Sequence, residues 1–556
     1  MIKSIELQFG SHPESQNLSF ETTPVTIFVG PNNSGKSKLL TEIQEYCSNG
    51  DKNQNSKLID TLSFLVLDKS ERLKEIEKFT IKPKPGQIVA QGQILFGGRE
   101  HIAQINEDLP ERFLSFPNSE VYIFCRHYLS FKTLKLDALN RIWLVNQQEL
   151  GDLQQAPAND LAVIFKDDKK RHEVRRIIYD AFGLYFVLDP TNGGQVRIRL
   201  SKIEPRGEYQ EKGLHKEAIE FHRNALDISL ASDGVKAFTV IITSIIAGEP
   251  KVTLLDEPEA FLHPSLSFKL GKEIATSAKN ELNRLFVSTH SSNFLMGCIQ
   301  SGAPINIARL TYSNEVGTAR LLDNEKIASL MKDPLLRSTG VLSALFYNYV
   351  VVTEGDSDRA FYQEVNERLI QFSPDRAIQD CLFINAVGKD SIWKIVQPLR
   401  EMGIPTVGVY DIDILKNEGN NWTNALKASH IPEISHQSLG QIRSRLKNKF
   451  DEIGKNMKKD GGISALPSSE KEAADNLFNQ LEVYGIFAVR NGEVEHWLSD
   501  LEVEANKSNW LAKIFERMGA NPDDQDYVKP TKGDVWDFLG RISTWMKNEN
   551  RKGIPR

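Results

Sequence analysis

The chain has few cysteines and no apolar run long enough to cross a membrane. Its 556 residues include four scattered cysteines, Cys47, Cys125, Cys298 and Cys381, which show neither pairing nor metal-ligand spacing. Such cysteines are typical of reduced thiols in a cytoplasmic protein rather than of a disulfide framework. The longest strongly apolar stretch, around 238–247, is far shorter than the roughly 20 residues of a membrane helix. The sequence therefore predicts a cytoplasmic protein without a membrane partner.

Positive charge is not in excess either. Lysine and arginine number 68 against 74 aspartate and glutamate, which gives a formal net charge of −6. The overall charge gives no support for nucleic-acid binding, so any DNA site must be a local basic patch. With 40% hydrophobic and 26% charged residues, the composition is that of an ordinary globular protein. The length indicates about three or four domains.

A phosphate-binding loop is encoded near the N-terminus. Residues 25–37 read VTIFVGPNNSGKS, an apolar strand followed by the pattern G-x-x-x-x-G-K-[ST]. We expect Lys36 to reach the phosphates of ATP and the Ser37 hydroxyl to bind Mg²⁺. A chance glycine-rich turn is the alternative, but the strand before it and the helix-compatible KLLTEIQEY after it argue against that. The expected nucleotide contacts are Gly30, Asn32, Asn33, Ser34, Gly35, Lys36 and Ser37.

Two later segments add acidic and imidazole groups to this predicted site. Residues 252–264 read VTLLDEPEAFLHP, where Asp256 is placed for the Mg²⁺ shell and Glu257 is placed to polarise the attacking water. An acidic helix cap after a buried strand is the alternative. Residues 286–291, FVSTHS, place His290 after another strand, where it can sense the γ-phosphate. A lone histidine is nevertheless more often structural.

A helix start that can bind phosphate lies upstream. In ISLASDGVKAF, Ser232 and Gly234 begin a predicted helix. In order, GPNNSGKS, SLASDG, LLDEPEAFLHP and STHS resemble the ATP-binding-cassette (ABC) class that includes RecF and SMC proteins. In that class two protomers sandwich ATP, so the resemblance implies that Ser232 and Gly234 contact nucleotide held by a partner subunit. It also implies a homodimer or a larger even-numbered oligomer.

The segment between the phosphate loop and this helix carries weaker signals. Residues 121–125 (VYIFC) predict a sheet strand, and residues 184–200 predict two strands joined by an Asn-Gly-Gly turn. Residues 169–182 predict a helix with basic residues on several faces, for which a solvated surface is favoured over a DNA contact. A lobe inserted at about 140–225 is a candidate dimerisation region.

The second half places carboxylates after two buried strands, in VVVTEGDSD (350–358) and VGVYDIDI (407–414). Ligands of open α/β sheets bind beyond the carboxyl ends of the strands, so we expect these side chains to meet there. They would repel one another without a cation, and hard oxygen ligands favour Mg²⁺ or Mn²⁺. The arrangement resembles the Toprim domain of topoisomerases, primases and some nucleases. The carboxylates concerned are Glu354, Asp358, Asp411 and Asp413.

The fold class predicted for the whole chain is α/β. Further strands at 383–389 and 484–489 predict a small parallel Toprim sheet, and the polar segment at about 416–476 predicts a helical insertion. The predicted domains are an ABC-type P-loop ATPase with a helical and β insertion at 1–345, a Toprim nuclease domain at 346–505, and a C-terminal helical segment at 506–556 that completes the Toprim half.

The order of the two domains resembles the OLD (overcoming lysogenization defect) family of nucleases, including Gabija-type and retron-associated antiphage members. In that family the Toprim carboxylates bind two divalent metals and cleave DNA. The resemblance implies ATP and Mg²⁺ as cofactors, with Mn²⁺ or Ca²⁺ as alternatives at the Toprim site. It implies that Glu354, Asp358, Asp411, Asp413 and Glu495 are metal ligands, with Glu495 preferred to Glu493, and that Glu257, His290, Glu354, Asp411, Asp413 and one of Lys529 or Lys532 are catalytic.

These features predict an ATP-gated, metal-dependent DNA endonuclease of antiphage defence. One alternative is a non-enzymatic ATPase sensor or scaffold, against which the complete carboxylate set argues. A RecF-like DNA-repair ATPase does not account for the Toprim half, and a Toprim nuclease acting on RNA remains open. Besides DNA, the candidate partners are a reverse transcriptase with its DNA product, or a helicase. The sequence does not tell whether ATP activates or inhibits cleavage.

Overall fold

The computed structural model describes residues 1–83, 86–98, 102–155, 157–248, 250–278, 282–313, 315–332, 340–503 and 507–555. The chain forms two compact units, Met1–Ile327 and Ala328–Arg556. The strands described are β1 (Ile2–Leu7), β2 (Ser19–Glu21), β3 (Val25–Val29), β4 (Ile59–Phe64), β5 (Thr80–Ile81), β6 (Gln93–Gly97), β7 (Ile102–Asn106), β8 (Thr133–Leu136), β9 (Gln148–Glu149), β10 (Tyr185–Asn192), β11 (Gln195–Ser201), β12 (Leu226–Asp227), β13 (Val252–Asp256), β14 (Arg284–Ser288), β15 (Ile305–Ser313), β16 (Val316–Leu322), β17 (Tyr349–Thr353), β18 (Cys381–Asn385), β19 (Thr406–Asp411) and β20 (Ile486–Val489). The α-helices described are α1 (Lys36–Asn49), α2 (Lys69–Phe79), α3 (Leu109–Ser115), α4 (Val121–Phe124), α5 (Ala138–Trp143), α6 (Asp160–Lys166), α7 (Asp168–Phe182), α8 (Glu208–Lys212), α9 (Lys216–Asn224), α10 (Asp233–Gly248), α11 (Pro264–Ser277), α12 (Ser292–Gln300), α13 (Asn324–Lys332), α14 (Asp356–Phe372), α15 (Lys389–Glu401), α16 (Gly419–Ala428), α17 (Glu433–Glu452), α18 (Ser468–Glu482), α19 (Lys507–Met518) and α20 (Asp534–Lys547).

The main sheet of the first unit has the strand order β16-β15-β3-β14-β13-β8, and all neighbours are parallel except β15 and β16. All five residues of β3 and of β14 are buried. Continuous apolar runs such as VTIFV suit strands that are covered on both faces. Asp256 pairs with Ser288, and Ser288 pairs with Phe28. The carboxyl ends of these three strands therefore lie at one edge, where the predicted nucleotide residues follow.

The predicted strand at 121–125 is wrong. Residues 121–124 form α4, and a π-helical turn continues it over Cys125–Leu129. The strand of this part of the chain that joins the main sheet is β8, which pairs with β13 at the edge of the sheet. The physical reason is a helical spacing of buried residues, at Phe124, Cys125, Tyr128 and Leu129. A five-residue apolar window is too short to separate a strand from a buried helix. The predicted strand pair in 184–200 is confirmed as antiparallel β10 and β11.

The second unit contains a fully parallel sheet with the strand order β18-β17-β19-β20, which confirms the predicted small parallel sheet. Apolar side chains of this sheet, among them Val351 and Val407, share a core with Trp536 and Phe538 of α20. The segment 416–476 holds α16, α17 and the first part of α18. The predicted domain limits stay predictions. None of the helices in the described part of the chain is long and apolar enough to span a bilayer.

Candidate nucleotide and metal sites

The phosphate loop is shaped by glycines at its two ends. Gly30 follows β3 with φ 144°, and a Cβ added there would lie 2.0 Å from the Leu310 carbonyl oxygen. A larger residue cannot occupy this position without moving the neighbouring strand. Gly35 has φ 91° and directly precedes α1. The loop therefore delivers the N-terminus of a 14-residue helix, with its free N–H groups, to the edge of the sheet.

The Lys36 ammonium is folded into this loop. It donates hydrogen bonds to the Gly30 carbonyl oxygen at 3.0 Å, the Pro31 carbonyl oxygen at 2.8 Å and Ser34 Oγ at 3.2 Å. The residue is only 5% exposed, and burial lowers the pKa of Lys36 to about 8. A desolvated cation that is held by neutral oxygens is stabilised by an anion. The residues present therefore fit the phosphates of a nucleotide.

A hydroxyl and a carboxylate meet beside the helix start. Ser37 Oγ donates to Asp256 Oδ1 at 2.8 Å, and the Ser288 hydroxyl donates to the same carboxylate oxygen. The contact of Ser37 with Asp256 joins the phosphate loop to the end of β13. Hydroxyl and carboxylate oxygens are the ligands that Mg²⁺ takes beside a nucleotide. The geometry thus brings together the two predicted Mg²⁺ ligands of the ATPase half.

Glu257 and His290 face each other at the next position along the edge. Glu257 has φ 46°, and its Oε1 lies 3.7 Å from Nε2 of His290. Burial, followed by the charge of Lys36, lowers the pKa of His290, so the imidazole is neutral at neutral pH. The pair is therefore a carboxylate beside a neutral ring rather than a full ion pair. Such a pair can hold a water molecule next to a phosphate.

Glu259 also belongs to the site, although the sequence motifs did not predict it. Its Oε1 accepts hydrogen bonds from Thr289 Oγ1 at 2.7 Å and from the His290 N–H at 2.8 Å. Burial raises the pKa of Glu259. The fully buried Arg141 contributes to the same region, since its Nη2 donates to the carbonyl oxygens of Asp256 and Glu257. The only sequence signal was the third acid of the DEPE string.

Glu259→Ala is expected to slow ATP hydrolysis by about tenfold to a hundredfold, because the His290 N–H and the Thr289 hydroxyl lose a buried acceptor. ATP binding should stay near the parent value. The matched variant Glu259→Gln keeps an oxygen acceptor and should retain most of the rate. Steady-state kcat and KM for ATP measure this, and a parent kcat in Glu259→Ala would show that Glu259 does not position His290.

Ser232 directly precedes α10 and Gly234 lies in its first turn, at the helix start that the sequence predicts. Ser232 is exposed, whereas Gly234 is buried and a Cβ added to it would lie 2.6 Å from the Phe261 carbonyl oxygen. The start of α10 therefore packs closely against the segment that follows Glu257. The predicted contact of Ser232 with nucleotide of a partner subunit stays a prediction.

The second unit brings together three of its predicted ligands. Glu354 follows β17, Asp411 ends β19, and Asp413 lies in the 3-10 turn Ile412–Lys416. One carboxylate oxygen from each lies within 4.8 Å of the other two. The Asp411 N–H donates to Glu354 Oε1 at 3.0 Å, which fixes the first carboxylate against the second strand end. Oxygen donors in this arrangement suit a divalent cation.

The electrostatics of these carboxyls fit a cation. Burial, followed by the charge of Asp411, raises the pKa of Glu354 to about 8. Burial and Asp411 raise the pKa of Asp358 to about 6, and Glu495 adds to this. Burial likewise raises the pKa of Asp411. Carboxyls that crowd one another in this way gain from a divalent ion, which replaces their protons.

Asp413 and Asp358 are held differently. Asp413 Oδ1 is buried and has no hydrogen-bond partner among the described residues. Buried polar atoms are usually paired, so this oxygen is suited to bind a cation. Asp358 Oδ2 accepts a hydrogen bond from the Gly355 N–H at 3.0 Å, within the first turn of α14. The charges of Asp411 and Glu495 both act on the Asp358 carboxyl, so Asp358 and Glu495 lie near the group of three. Their roles as ligands stay predictions.

Two lysines reach the carboxylates, and one of them was missed. Lys389 Nζ, at the start of α15, lies 3.1 Å from Asp413 Oδ2. Lys458 Nζ lies 2.5 Å from Asp411 Oδ2 and 3.5 Å from Asp413 Oδ2. Lys458 belongs to the polar segment 416–476, for which the sequence predicts a helical insertion. No local signal marks this lysine among its neighbours.

The two late lysines are not brought to the carboxylates. The Lys529 ammonium lies 5.2 Å from the ring centre of Phe372, the last residue of α14. Since Glu354 precedes the first residue of this 17-residue helix, a helix length of about 25 Å separates the two ends. Lys532 is exposed and follows Thr531, whose carbonyl oxygen accepts a hydrogen bond from Arg376, beyond the same end of the helix.

The fold and the two sites define an ABC-type P-loop ATPase followed by a Toprim domain. Residues 144–296 match the family described as "AAA domain, putative AbiEii toxin, Type IV TA system". Residues 345–413 match "Overcoming lysogenization defect protein-like, TOPRIM domain". In this order the domains match an OLD-family fusion of an ABC ATPase and a Toprim domain, which confirms the resemblance found in the sequence. The phosphate loop and Glu495 lie outside the matched ranges.

No curated protein matches the chain significantly. Among solved structures, an SMC head bound to the C-winged helix domain of ScpA is similar at 14% identity and TM-score 0.35, covering 59% of this chain and 99% of that one. The SMC head domain from Thermotoga maritima is similar at 13% identity and TM-score 0.28, covering 58% of this chain and 99% of that one. A nucleotide-free ATP-binding cassette from an ABC transporter is similar at 12% identity and TM-score 0.24, covering 61% of this chain and 98% of that one. These TM-scores are too low to support a conclusion about the activity of this chain.

Proposed function

We propose that this protein is an ATP-gated, divalent-metal-dependent endonuclease that cleaves DNA in the cytoplasm as part of antiphage defence. The combination of an ATPase domain with a Toprim domain supports an ATP-dependent, nuclease-like enzyme. The observation that carries the proposal is the convergence of Glu354, Asp411 and Asp413 at the carboxyl edge of the Toprim sheet. Buried carboxyls with raised pKa values are a feature of functional sites rather than of ordinary surface acids.

The residues of the Toprim site have separable roles. Glu354, Asp411 and Asp413 would hold one divalent cation, and Asp358 and Glu495 would contribute to holding a second. When bound, such ions stabilise the attacking and leaving oxygens of a phosphodiester. Lys389, which contacts Asp413, supplies a positive charge at the edge where an anionic backbone must approach.

The ATPase half is proposed to act as the gate. Lys36 and the start of α1 bind the phosphates, Ser37 and Asp256 hold Mg²⁺, and Glu257 orients the attacking water. An ungated nuclease would damage the DNA of its own cell, and the nucleotide state of the ATPase half would supply the control. The proposal leaves open whether ATP inhibits or activates.

The direct test is an incubation of purified protein with supercoiled plasmid and Mg²⁺ or Mn²⁺, with and without ATP. We expect nicked and linear DNA with metal, no product with EDTA, and a rate that depends on ATP. A parallel incubation with structured RNA tests the alternative that the Toprim site cleaves RNA rather than DNA. Cleavage of RNA with intact plasmid would overturn the DNA assignment, and no cleavage of either would favour the sensor or scaffold.

The assembly is proposed to be a homodimer or a larger even-numbered oligomer. Ser232 lies exposed at the start of α10, where it can complete a nucleotide site on a second protomer. Light scattering with ATP is expected to give at least twice the 62.8 kDa of one chain. Ser232→Arg should reduce ATP hydrolysis without weakening ATP binding to the phosphate loop. A 62.8 kDa particle with and without ATP would contradict the assembly.

A further inference from the structure

A lysine of the same chain occupies the acidic edge of the Toprim sheet. The Lys458 ammonium contacts Oδ2 of Asp411 at 2.5 Å and Oδ2 of Asp413 at 3.5 Å. Its side chain is 22% exposed, and those of the two aspartates are 13% and 16% exposed. An ion pair this sheltered is much less screened than one on the surface. The oxygen that Lys458 holds on Asp411 belongs to a predicted metal ligand.

The turn that carries Lys458 is locally ordered. The Asn456 N–H donates to Asp460 Oδ2 at 2.8 Å, and Asn456 Oδ1 accepts from the Lys458 N–H at 3.0 Å. Met457, between them, is 1% exposed and anchors the turn in the interior. These contacts fix the backbone of residues 456–460, so Lys458 points from a defined position rather than from a loose surface loop.

The same turn docks against the backbone that leads to the acidic edge. Gly492 has φ 132°, and a Cβ added to it would lie 2.3 Å from the Lys458 carbonyl oxygen. The Gly492 carbonyl oxygen accepts a hydrogen bond from the N–H of Ile412 at 3.0 Å, and Ile412 lies between the two aspartates. Just after the turn, the Ile463 N–H donates to the Arg490 carbonyl oxygen at 2.9 Å, which ties the chain beyond the turn to the same segment. The approach is so close that only glycine fits at position 492.

We propose that Lys458 is a positioning residue that serves as a built-in counter-ion of the metal site. Its ammonium holds Asp411 and Asp413 together before a divalent cation binds, and it has to leave Asp411 when the cation takes that oxygen. This inference rests on the proposed metal-dependent function. The carboxylates would otherwise repel one another, and the lysine stabilises them at the expense of cation affinity. Lys458 therefore sets the cation concentration at which the site fills.

The test measures Mn²⁺ binding to the full chain by titration calorimetry. Lys458→Met is expected to bind Mn²⁺ about tenfold more tightly than the parent, because the cation no longer displaces a charged hydrogen bond. The matched control is Lys459→Met, which removes the same charge from an exposed neighbour on the same turn. Lys459→Met and Lys458→Arg should both stay near the parent affinity. If Lys458→Met binds Mn²⁺ no more tightly than Lys459→Met, or more weakly, the inference is overturned.

Thermal unfolding gives a second readout that does not depend on cleavage. In EDTA, Lys458→Met should unfold at a lower temperature than Lys459→Met, and Mn²⁺ should raise its midpoint more than it raises that of the parent. Equal midpoints in EDTA would overturn the counter-ion role. If the parent cleaves DNA but binds Mn²⁺ with the same affinity as Lys458→Met, only this inference is contradicted. If the parent binds no Mn²⁺, both the proposed function and this inference are contradicted.

Discussion

Asp411→Asn is expected to lower the rate of DNA cleavage by about a thousandfold or more while ATP binding and hydrolysis stay at the parent level. Asp411 is the final residue of a buried strand, and its backbone N–H holds Glu354 in place. Asparagine keeps this backbone contact and the side-chain volume but removes the charge that a divalent ion requires. The rate of nicking of supercoiled plasmid under Mg²⁺ and under Mn²⁺ measures the loss.

The matched control lies in the same acidic string as Glu354. The exposed carboxylate of Asp356 pairs with Arg359 at 2.7 Å and accepts a hydrogen bond from Asn385 at 3.0 Å. Asp356→Asn therefore changes the charge near the site without touching the three converging oxygens, and we expect nearly parent cleavage. Undiminished cutting by Asp411→Asn would place the active site elsewhere. An equal loss in Asp356→Asn would mean that general charge, rather than ligation, explains the effect.

The strands that carry the sites could be predicted because each is a short apolar run with a clear end. VTIFV stops at Gly30, VVVT stops at Glu354 and VGVY stops at Asp411. A strand that is buried on both faces can be identified from its own continuous apolar run, without knowledge of the strands beside it. In a parallel sheet, the polar residues directly after such a strand lie at the carboxyl edge. That rule places Glu354, Asp411 and Asp413 at one edge, and the pairing of β17 with β19 brings them together there.

Contacts between distant segments could not be predicted in the same way. Lys458 reaches Asp411 only because the turn at 456–460 folds back onto Gly492, and its flanking sequence is as polar as any solvated loop. The sequence also could not tell which end of α14 the segment of Lys529 packs against, since that depends on the ring of Phe372. Long-range packing, rather than local pattern, decides both positions.

The second large effect is expected in the ATPase half. Glu257→Gln should bind ATP normally but hydrolyse it about a hundredfold more slowly or worse, because the carboxylate that orients and polarises water is lost. Glutamine retains the shape of the side chain at a backbone position with φ 46°. The neutral imidazole of His290 does not replace the missing charge. Single-turnover hydrolysis and ATP affinity measure the two properties, with the exposed Glu325→Gln as the control.

The same variant tests the gate when it is paired with Lys36→Ala. Lys36→Ala removes the ammonium that the phosphate loop holds, so it should cleave DNA at the nucleotide-free rate whatever the ATP concentration. Glu257→Gln should cleave at the ATP-bound rate and keep that rate after a limited supply of ATP would have been consumed by the parent, because it does not convert bound ATP to ADP. The parent should move between these two limits as ATP is added or consumed. If all three proteins cleave DNA at one rate across ATP concentrations, the ATPase half does not gate the Toprim half, even if Asp411→Asn still abolishes cleavage.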